Sequence, residues 1–357
     1  MKGSTKNTNN TKEIKGLCSG FSFIGNVVEK YYPNYSFDYM IDSSDIKGAI
    51  RNYLKFRRMD KQGTFDKYDM ITLSTWENII QYKKKSPDQL LIAYPNGFIV
   101  GLNYDQTIKE VPFIKRQLHK LLKFFCDKKM KQKYKEADLL VVSTPNMLEH
   151  AKKIRKDAIW LPNPIDTEVF NPRGSKVKLE GNPSVFLPTR LHAFKNPLFG
   201  VNLFNKIKEK YPDAKLHMIR YGGGEDPLFG AFKRIVNMKD VVYHDKMKRE
   251  ELSKYYRSAD LILGQFNPNL AALGMVELEA MACGGAVISL DKYEIYTYPI
   301  NTLERLALRI VEDKKFRDSY IKKNIAYIKK MHSPEGVSRL CIDFINKKNL
   351  LRKSKKS

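Results

Sequence analysis

Arg190 and Lys195 stand five residues apart in the string TRLHAFKNP, just after the apolar run at 184–187. A guanidinium is a planar fork and an ammonium a point charge, a combination suited to a chain of phosphates. Taken alone, the pair equally fits two surface cations on a basic protein. His192 lies between them, close enough in sequence to touch the same ligand. Further on, Arg220-Tyr221-Gly222-Gly223-Gly224-Glu225 follows the apolar run at 215–219, with Gly223 at its centre. Such glycines let backbone approach a ligand closely, or simply turn. In LGMVELEAMACGGAVI (273–288), Gly274 opens a run of small and apolar residues at helical spacing. A helix starting there, with Met275 and Val276 in its first turn, offers unpaired N–H groups and a positive dipole end to phosphate. Glu279, about one and a half turns in, has the chemistry to accept hydrogen bonds from sugar hydroxyls. By composition alone the same stretch is a core helix carrying one solvated carboxylate.

The elements that must position these groups read as two series of strands and helices. Strand candidates fall at 37–41, 69–73, 90–93 and 138–143, then at 184–187, 215–219, 241–243, 260–263 and 286–289. Helix-period segments lie between them, among them 197–210, 250–258, 274–283 and 302–314. This alternation predicts parallel sheets with helices on both faces. The fold class is therefore α/β, two Rossmann-like parallel-sheet domains facing a central cleft, with ligands off the carboxyl ends of the strands. Residues 1–16 read as a flexible polar tail and 17–170 as the first domain. The Gly-, Pro- and charge-rich stretch 171–183 reads as a linker, and 184–315 as the second domain. Helices over 316–345 return toward the first domain, and 346–357 is a basic tail. The prolines of WLPNPIDTEVFNP (160–172) hold the chain extended where the first domain closes.

Length and composition bound the functional classes. At roughly 150 residues per domain, 357 residues make about two domains. A chain that is 42% hydrophobic and 11% aromatic can give each a core, which excludes wholesale disorder. Lys and Arg number 64 against 39 Asp and Glu, and the net charge of +25 favours anionic partners. Cys18, Cys126, Cys283 and Cys341 have no CxxC spacing, which argues against a disulfide scaffold or zinc ribbon and fits a reducing cytosol. His119, His150, His217, His244 and His332 show no metal-ligand spacing, so no metal site is expected. No stretch approaches the roughly 18–20 apolar residues that cross a bilayer. The segment FIKRQLHKLLKFFCDKKMKQKYK, from Phe113 to Lys135, is basic and amphipathic. It suits an anionic membrane near a lipid-linked acceptor, and equally a surface helix whose apolar stripe faces the core.

In this order, the strings STPNMLEHA, LPNPIDTEVFNP, TRLHAFKN, GGGE and LGMVELEAMACGGAVIS resemble the retaining glycosyltransferases of family 4. These are the "glycosyl transferases group 1" type and have the GT-B fold. The resemblance is dense over residues 137–285 and weak before Tyr68. It implies that Arg190 and Lys195 grip the donor diphosphate and steady the charge on the departing nucleotide. It further implies that Gly274, Met275 and Val276 meet the phosphates, and that Glu279 is the second glutamate of a Glu-x7-Glu motif and binds the ribose. The first glutamate of that motif would fall at Ala271, and no acid lies from Leu261 to Val276. The glycine loop and catalytic histidine common in the family's first half are not evident. Gly25 in FSFIGNVV, and Asn96 and Gly97 in YPNGFIV, are the candidate cleft positions there.

The resemblance thus implies transfer, with retention, of a hexose-type sugar from a UDP- or GDP-sugar to a glycan, lipid-linked or protein acceptor. No Asp-x-Asp string is present, so Arg190 and Lys195 would do without a metal, and no cofactor is expected. The expected location is cytoplasmic, with a peripheral position on the cytoplasmic face of a membrane left open. Two other classes stay on the page. Ala271 keeps open a GT-B relative that binds nucleotide-sugar without transfer. The charge prompts a nucleic-acid binder, but the cations are spread along the chain and no nucleic-acid signature accompanies them.

Overall fold

The computed structural model describes residues 13–19, 22–40, 46–73, 86, 88–95, 117, 128, 130–220, 228–270, 272–292, 294, 295 and 298–353. Two parallel sheets organise them. The first holds β1 (Ile14–Ser19), β2 (Tyr35–Met40), β3 (Met70–Leu73), β4 (Leu90–Ala93), β5 (Leu139–Val142) and β6 (Ile159–Trp160), in the order β2-β1-β3-β4-β5-β6. The second holds β7 (Ser184–Leu187), β8 (Lys215–Arg220), β9 (Val241–Asp245), β10 (Leu261–Leu263) and β11 (Val287–Ile288), in the order β11-β10-β7-β8-β9. The runs LLIA, LLVV, SVFL and LIL are buried along their whole length, as strands covered on both faces must be.

In the second sheet the chain runs from β7 to one side through β8 and β9, then returns to pair β10 on the other side of β7. Leu261 and Leu216 therefore flank Val185 in register. Such a reversal opens a crevice off the carboxyl ends of β7 and β10, where ligands of open α/β sheets bind. The helices that matter here are α1 (Ser22–Tyr31), α2 (Ile46–Lys61), α3 (Pro145–Ile154), α4 (Pro197–Lys210), α5 (Phe229–Ile235), α6 (Arg249–Ser258) and α7 (Met275–Ala282). Three more close the chain, α8 (Leu303–Glu312), α9 (Lys314–Met331) and α10 (Pro334–Lys353). In α10, Val337, Ile342 and Ile345 join Val28, Met70, Ile92 and Val141 in the first domain's core. Ser338 Oγ donates to the Val27 carbonyl at 3.1 Å. The chain's last helix thus covers its first domain.

Three segments differ from their reading in the sequence. β1 begins at Ile14, inside the stretch that reads as a tail, because Lys15 and Gly16 interrupt its apolar character. The stretch after residue 346 stays helical to Lys353. Ile159–Trp160, read as extended connector, pairs with Val141 and Val142 as an edge strand. The segment from Phe113 to Lys135 lies largely outside the described residues. At its far end, residues 130–136 are helical, with Met130 and Tyr134 buried in the first domain's core. Lys133 is also buried there and pairs with Glu136 at 2.6 Å. Among the described residues, no helix is long and apolar enough to cross a membrane.

Candidate active site

Two loops meet at the crevice between β7 and β10. The first leaves β7, makes a 3-10 turn at Ala193–Lys195 and enters α4 through Asn196, whose φ of 48° is left-handed. Asparagine tolerates that conformation, and Pro197 then starts α4. The second loop leaves β10 and runs to Gly274. Main-chain and amide contacts weld the two. Phe266 N donates to the Lys195 carbonyl at 2.9 Å, and Asn267 Nδ2 to the Phe194 carbonyl at 2.8 Å. Gln265, fully buried, donates to the carbonyls of Ala272 (3.1 Å) and Leu290 (2.9 Å) while its own side-chain oxygen takes the Asn267 N–H. Buried amides satisfied on every side specify a single loop shape.

This weld carries Lys195 to the start of α7. A methyl group placed on Gly274 would stand 3.4 Å from the Lys195 ammonium. Gly274 is the residue before α7, and Met275 and Val276 form its half-buried first turn. Glu277, 1% exposed, sets this end of the helix. It takes the Gly274 N–H on Oε2 at 3.0 Å and the Gln265 N–H on Oε1 at 2.8 Å. Gly264 leaves room for it, since a methyl there would fall 2.7 Å from Glu277 Cγ. Arg190 leaves the same loop as Lys195, exposed between buried Thr189 and Leu191. His192 is exposed as well, and its Nδ1 accepts the Phe194 N–H at 3.2 Å, which caps the 3-10 turn. Lys195 and the N-terminus of α7 thus meet in this crevice, an arrangement that favours an anion.

Glu279 lies deeper on α7 and is 9% exposed. Burial pushes its carboxyl up to about 7; Arg249 pulls it down, while Glu277 and Asp166 add repulsion. Arg249 reaches from α6 to Glu279 Oε1 at 3.4 Å and to Asp166 Oδ2 at 3.9 Å, with its guanidinium 4.9 Å over the Phe170 ring. Asp260, the acid just before β10, spends one carboxylate oxygen on Ser184 N and Oγ, both at 2.9 Å. Both acids nearest to position 271 in sequence, Asp260 and Glu277, are thus engaged in contacts with backbone N–H groups.

Contacts from outside the second sheet also hold the loop between β10 and α7. Asn146 of α3, 4% exposed, donates through Nδ2 to the Leu270 carbonyl at 2.8 Å and so ties the first domain to the loop. Buried Glu294 takes the Leu273 N–H at 3.4 Å and the Tyr327 hydroxyl. His332 stands 3.4 Å from the same carboxylate and donates Nδ1–H to the Asn163 carbonyl at 2.8 Å. The sequence reading assigned no role to Asn146, Arg249, Gln265, Asn267 or Glu294. One local signal was available, a cluster of amides (QFNPN) directly after a buried strand.

Gly25 stands inside α1, and a methyl on it would fall 2.6 Å from the Tyr39 hydroxyl. Gly223, Asn96, Gly97 and Ala271 lie outside the described residues. A cavity of about 40 Å³ lies in the first domain beneath α10, between Cys18, Thr72, Tyr94 and Cys341, with an apolar lining. Burial pushes both thiols up to about 12.

Two histidines form a relay beside the linker. His217 Nε2 donates to the Glu180 carbonyl at 2.8 Å, so its Nδ1 must accept from His244 Nε2 at 2.9 Å. His244 Nδ1 then accepts from the Tyr255 hydroxyl at 3.4 Å. In this arrangement both rings are neutral, and burial holds both below the ordinary histidine range. Below that ordinary value the unfolded chain takes up protons more readily than the folded one. The relay's stability is therefore present above the ordinary histidine value and lost as pH falls through the window beneath it. Wild type should lose more stability than a His244→Phe variant on acidification from neutral pH, read as urea midpoints. Equal losses would show that the pair does not titrate on unfolding.

Residues 171–304 match the family model described as glycosyl transferases group 1. The chain superposes on sucrose-phosphate synthase from Thermosynechococcus elongatus with a TM-score of 0.66 and 15% identity, covering 94% of this chain and 99% of that one. The HepE protein of Anabaena, solved with UDP and glucose, gives a TM-score of 0.62 and 12% identity over 94% and 100%. A glycosyltransferase from Rickettsia africae gives a TM-score of 0.60 and 11% identity over 95% and 99%. No curated protein matches the chain by sequence. The fold is GT-B, two parallel-sheet α/β domains.

Proposed function

We propose that this protein transfers a hexose-type sugar from a UDP- or GDP-sugar to an acceptor bound on the first-domain side, with retention at the anomeric carbon. The observation that carries the reading is the Lys195 ammonium beside Gly274, at the N-terminus of α7 and in the crevice between β7 and β10. Cleavage at the anomeric carbon drives negative charge onto the diphosphate. Groups already aimed at that position stabilise the charge without reorganising as it forms. In this reading Lys195 and Arg190 supply the cations, the amides of Met275 and Val276 supply oriented dipoles, and Glu279 accepts from the ribose hydroxyls. The family-model match over 171–304, which contains all of these residues, supports the reading, and so does the fold shared with a protein solved with UDP and glucose.

Thermal unfolding in the presence of UDP-glucose and GDP-mannose tests it. A ligand at 100 times its dissociation constant adds about 2.7 kcal/mol to the folded state. One nucleotide-sugar should raise the unfolding temperature, and the matching free nucleoside diphosphate should do so as well. No shift with either nucleotide at millimolar concentration would sink the proposal. A second reading, binding without transfer, is favoured by one observation, the alanine at position 271. Stabilisation by a nucleotide-sugar with no release of nucleoside diphosphate, across a panel of acceptors, would select it.

A further inference from the structure

The Glu279 carboxylate is held by a group that the donor-site reading does not use. Arg249, at the first turn of α6, lies between Glu279 Oε1 at 3.4 Å and Asp166 Oδ2 at 3.9 Å, and its guanidinium rests on the Phe170 ring. Asp166 and Phe170 lie between β6 and β7, where the chain passes from the first sheet to the second. Asp166 is itself fixed, because its Oδ1 takes the N–H groups of Glu168 and Val169 at 3.2 and 3.4 Å. One guanidinium therefore connects the segment between β6 and β7 to a nearly buried acid on the candidate donor helix.

We propose that Arg249 is a positioning residue that keeps Glu279 charged and aimed for the nucleotide ribose, with Asp166 setting the strength of that hold. The inference rests on the donor-site reading, in which Glu279 is the ribose acceptor. The ionised carboxylate is purely an acceptor and the stronger one, whereas protonation turns one oxygen into a donor, so ribose hydroxyls that donate favour the ionised form. Its energetic balance is close. Burial disfavours the charge, Glu277 on the same helix and Asp166 across the segment repel it, and Arg249 alone of these groups attracts it. Cys283, one turn on, is a neutral thiol and adds no opposing charge at neutral pH. An exchange of proton for nucleotide follows: acidification removes the acceptor and weakens binding, and the position of that fall reports the local charges.

Calorimetric titration of the intact protein with UDP and with GDP, repeated on both sides of neutral pH, tests the proposal. Wild-type affinity should fall on the acid side of a single midpoint. Arg249→Met should move that midpoint up by about one pH unit or more, because the attracting cation is gone. Arg249→Lys should restore it, and Asp166→Asn should move it down while keeping the acceptor that caps Glu168 and Val169. Glu279→Gln should bind more weakly and keep only the pH dependence that the nucleotide's own terminal phosphate brings, which is common to every variant. A fold-support role for Arg249 would weaken binding equally at every pH, and an unmoved midpoint in Arg249→Met would overturn the inference while leaving the donor-site reading intact. Failure of wild type to bind either nucleotide at any pH would overturn both.

Discussion

Alanine at Lys195 is expected to lower sugar transfer by about 10²-fold or more, and alanine at Arg190 to do the same. The reason is the timing of charge. The departing diphosphate gains negative charge only as the glycosidic bond breaks, so a cation fixed beside it acts more strongly on the transition state than on the bound donor. Lys195 is fixed by its backbone: its carbonyl receives Phe266 N–H, and the 3-10 turn around it is capped by His192. Truncating the side chain leaves those contacts in place, so the variant should unfold near the wild-type temperature. The loss should appear mainly in kcat, with a smaller change in KM. Lys195→Arg should recover part of the rate, since it restores charge but presents a fork where a point charge stood. Wild-type rates in both alanine variants would remove the proposed role.

A second large effect is expected at a residue that touches no ligand in this reading. Glu277→Ala should cost about 2–4 kcal/mol of stability, because two backbone N–H groups, those of Gln265 and Gly274, lose their acceptor inside the protein. Removal of a buried carboxylate returns part of its desolvation cost, which keeps the estimate at this level. The same change frees the loop 264–274 from the start of α7, so nucleotide affinity should fall with stability. Glu277→Gln keeps one acceptor oxygen but turns an N–H donor toward the other amide, and its loss should be intermediate. Urea unfolding and nucleotide titration of the two variants provide the check. Unchanged stability and affinity in Glu277→Ala would show that the loop is held by Gln265, Asn267 and Glu294 alone.

These two residues illustrate how the site divides. Lys195 stands beside Gly274, and its place in a loop at the crevice was legible from a cation shortly after a buried strand. Glu277 lies only two positions from Glu279 and reads in sequence as another helix acid, yet the fold turns it inward to hold the loop. Arg249 reads as an ordinary basic residue at a helix start, and it becomes part of the site only because α6 packs beside α7.

The sequence alone determined the α/β class, the two series of strands and the loops that end beside Arg190, Lys195 and Gly274. These features are local: a buried parallel strand needs a continuous apolar run, and a helix start needs its own first-turn residues. The tertiary structure alone decided which side chains meet. Asn146 and Leu270 lie 124 residues apart, and Glu279 takes its cation from 30 residues upstream. No periodicity encodes such pairings, because they follow from how strands reverse order in a sheet and how helices pack across it. For the same reason β1 is not legible in the sequence: Lys15 and Gly16 break its pattern, and its place between β2 and β3 makes it a strand.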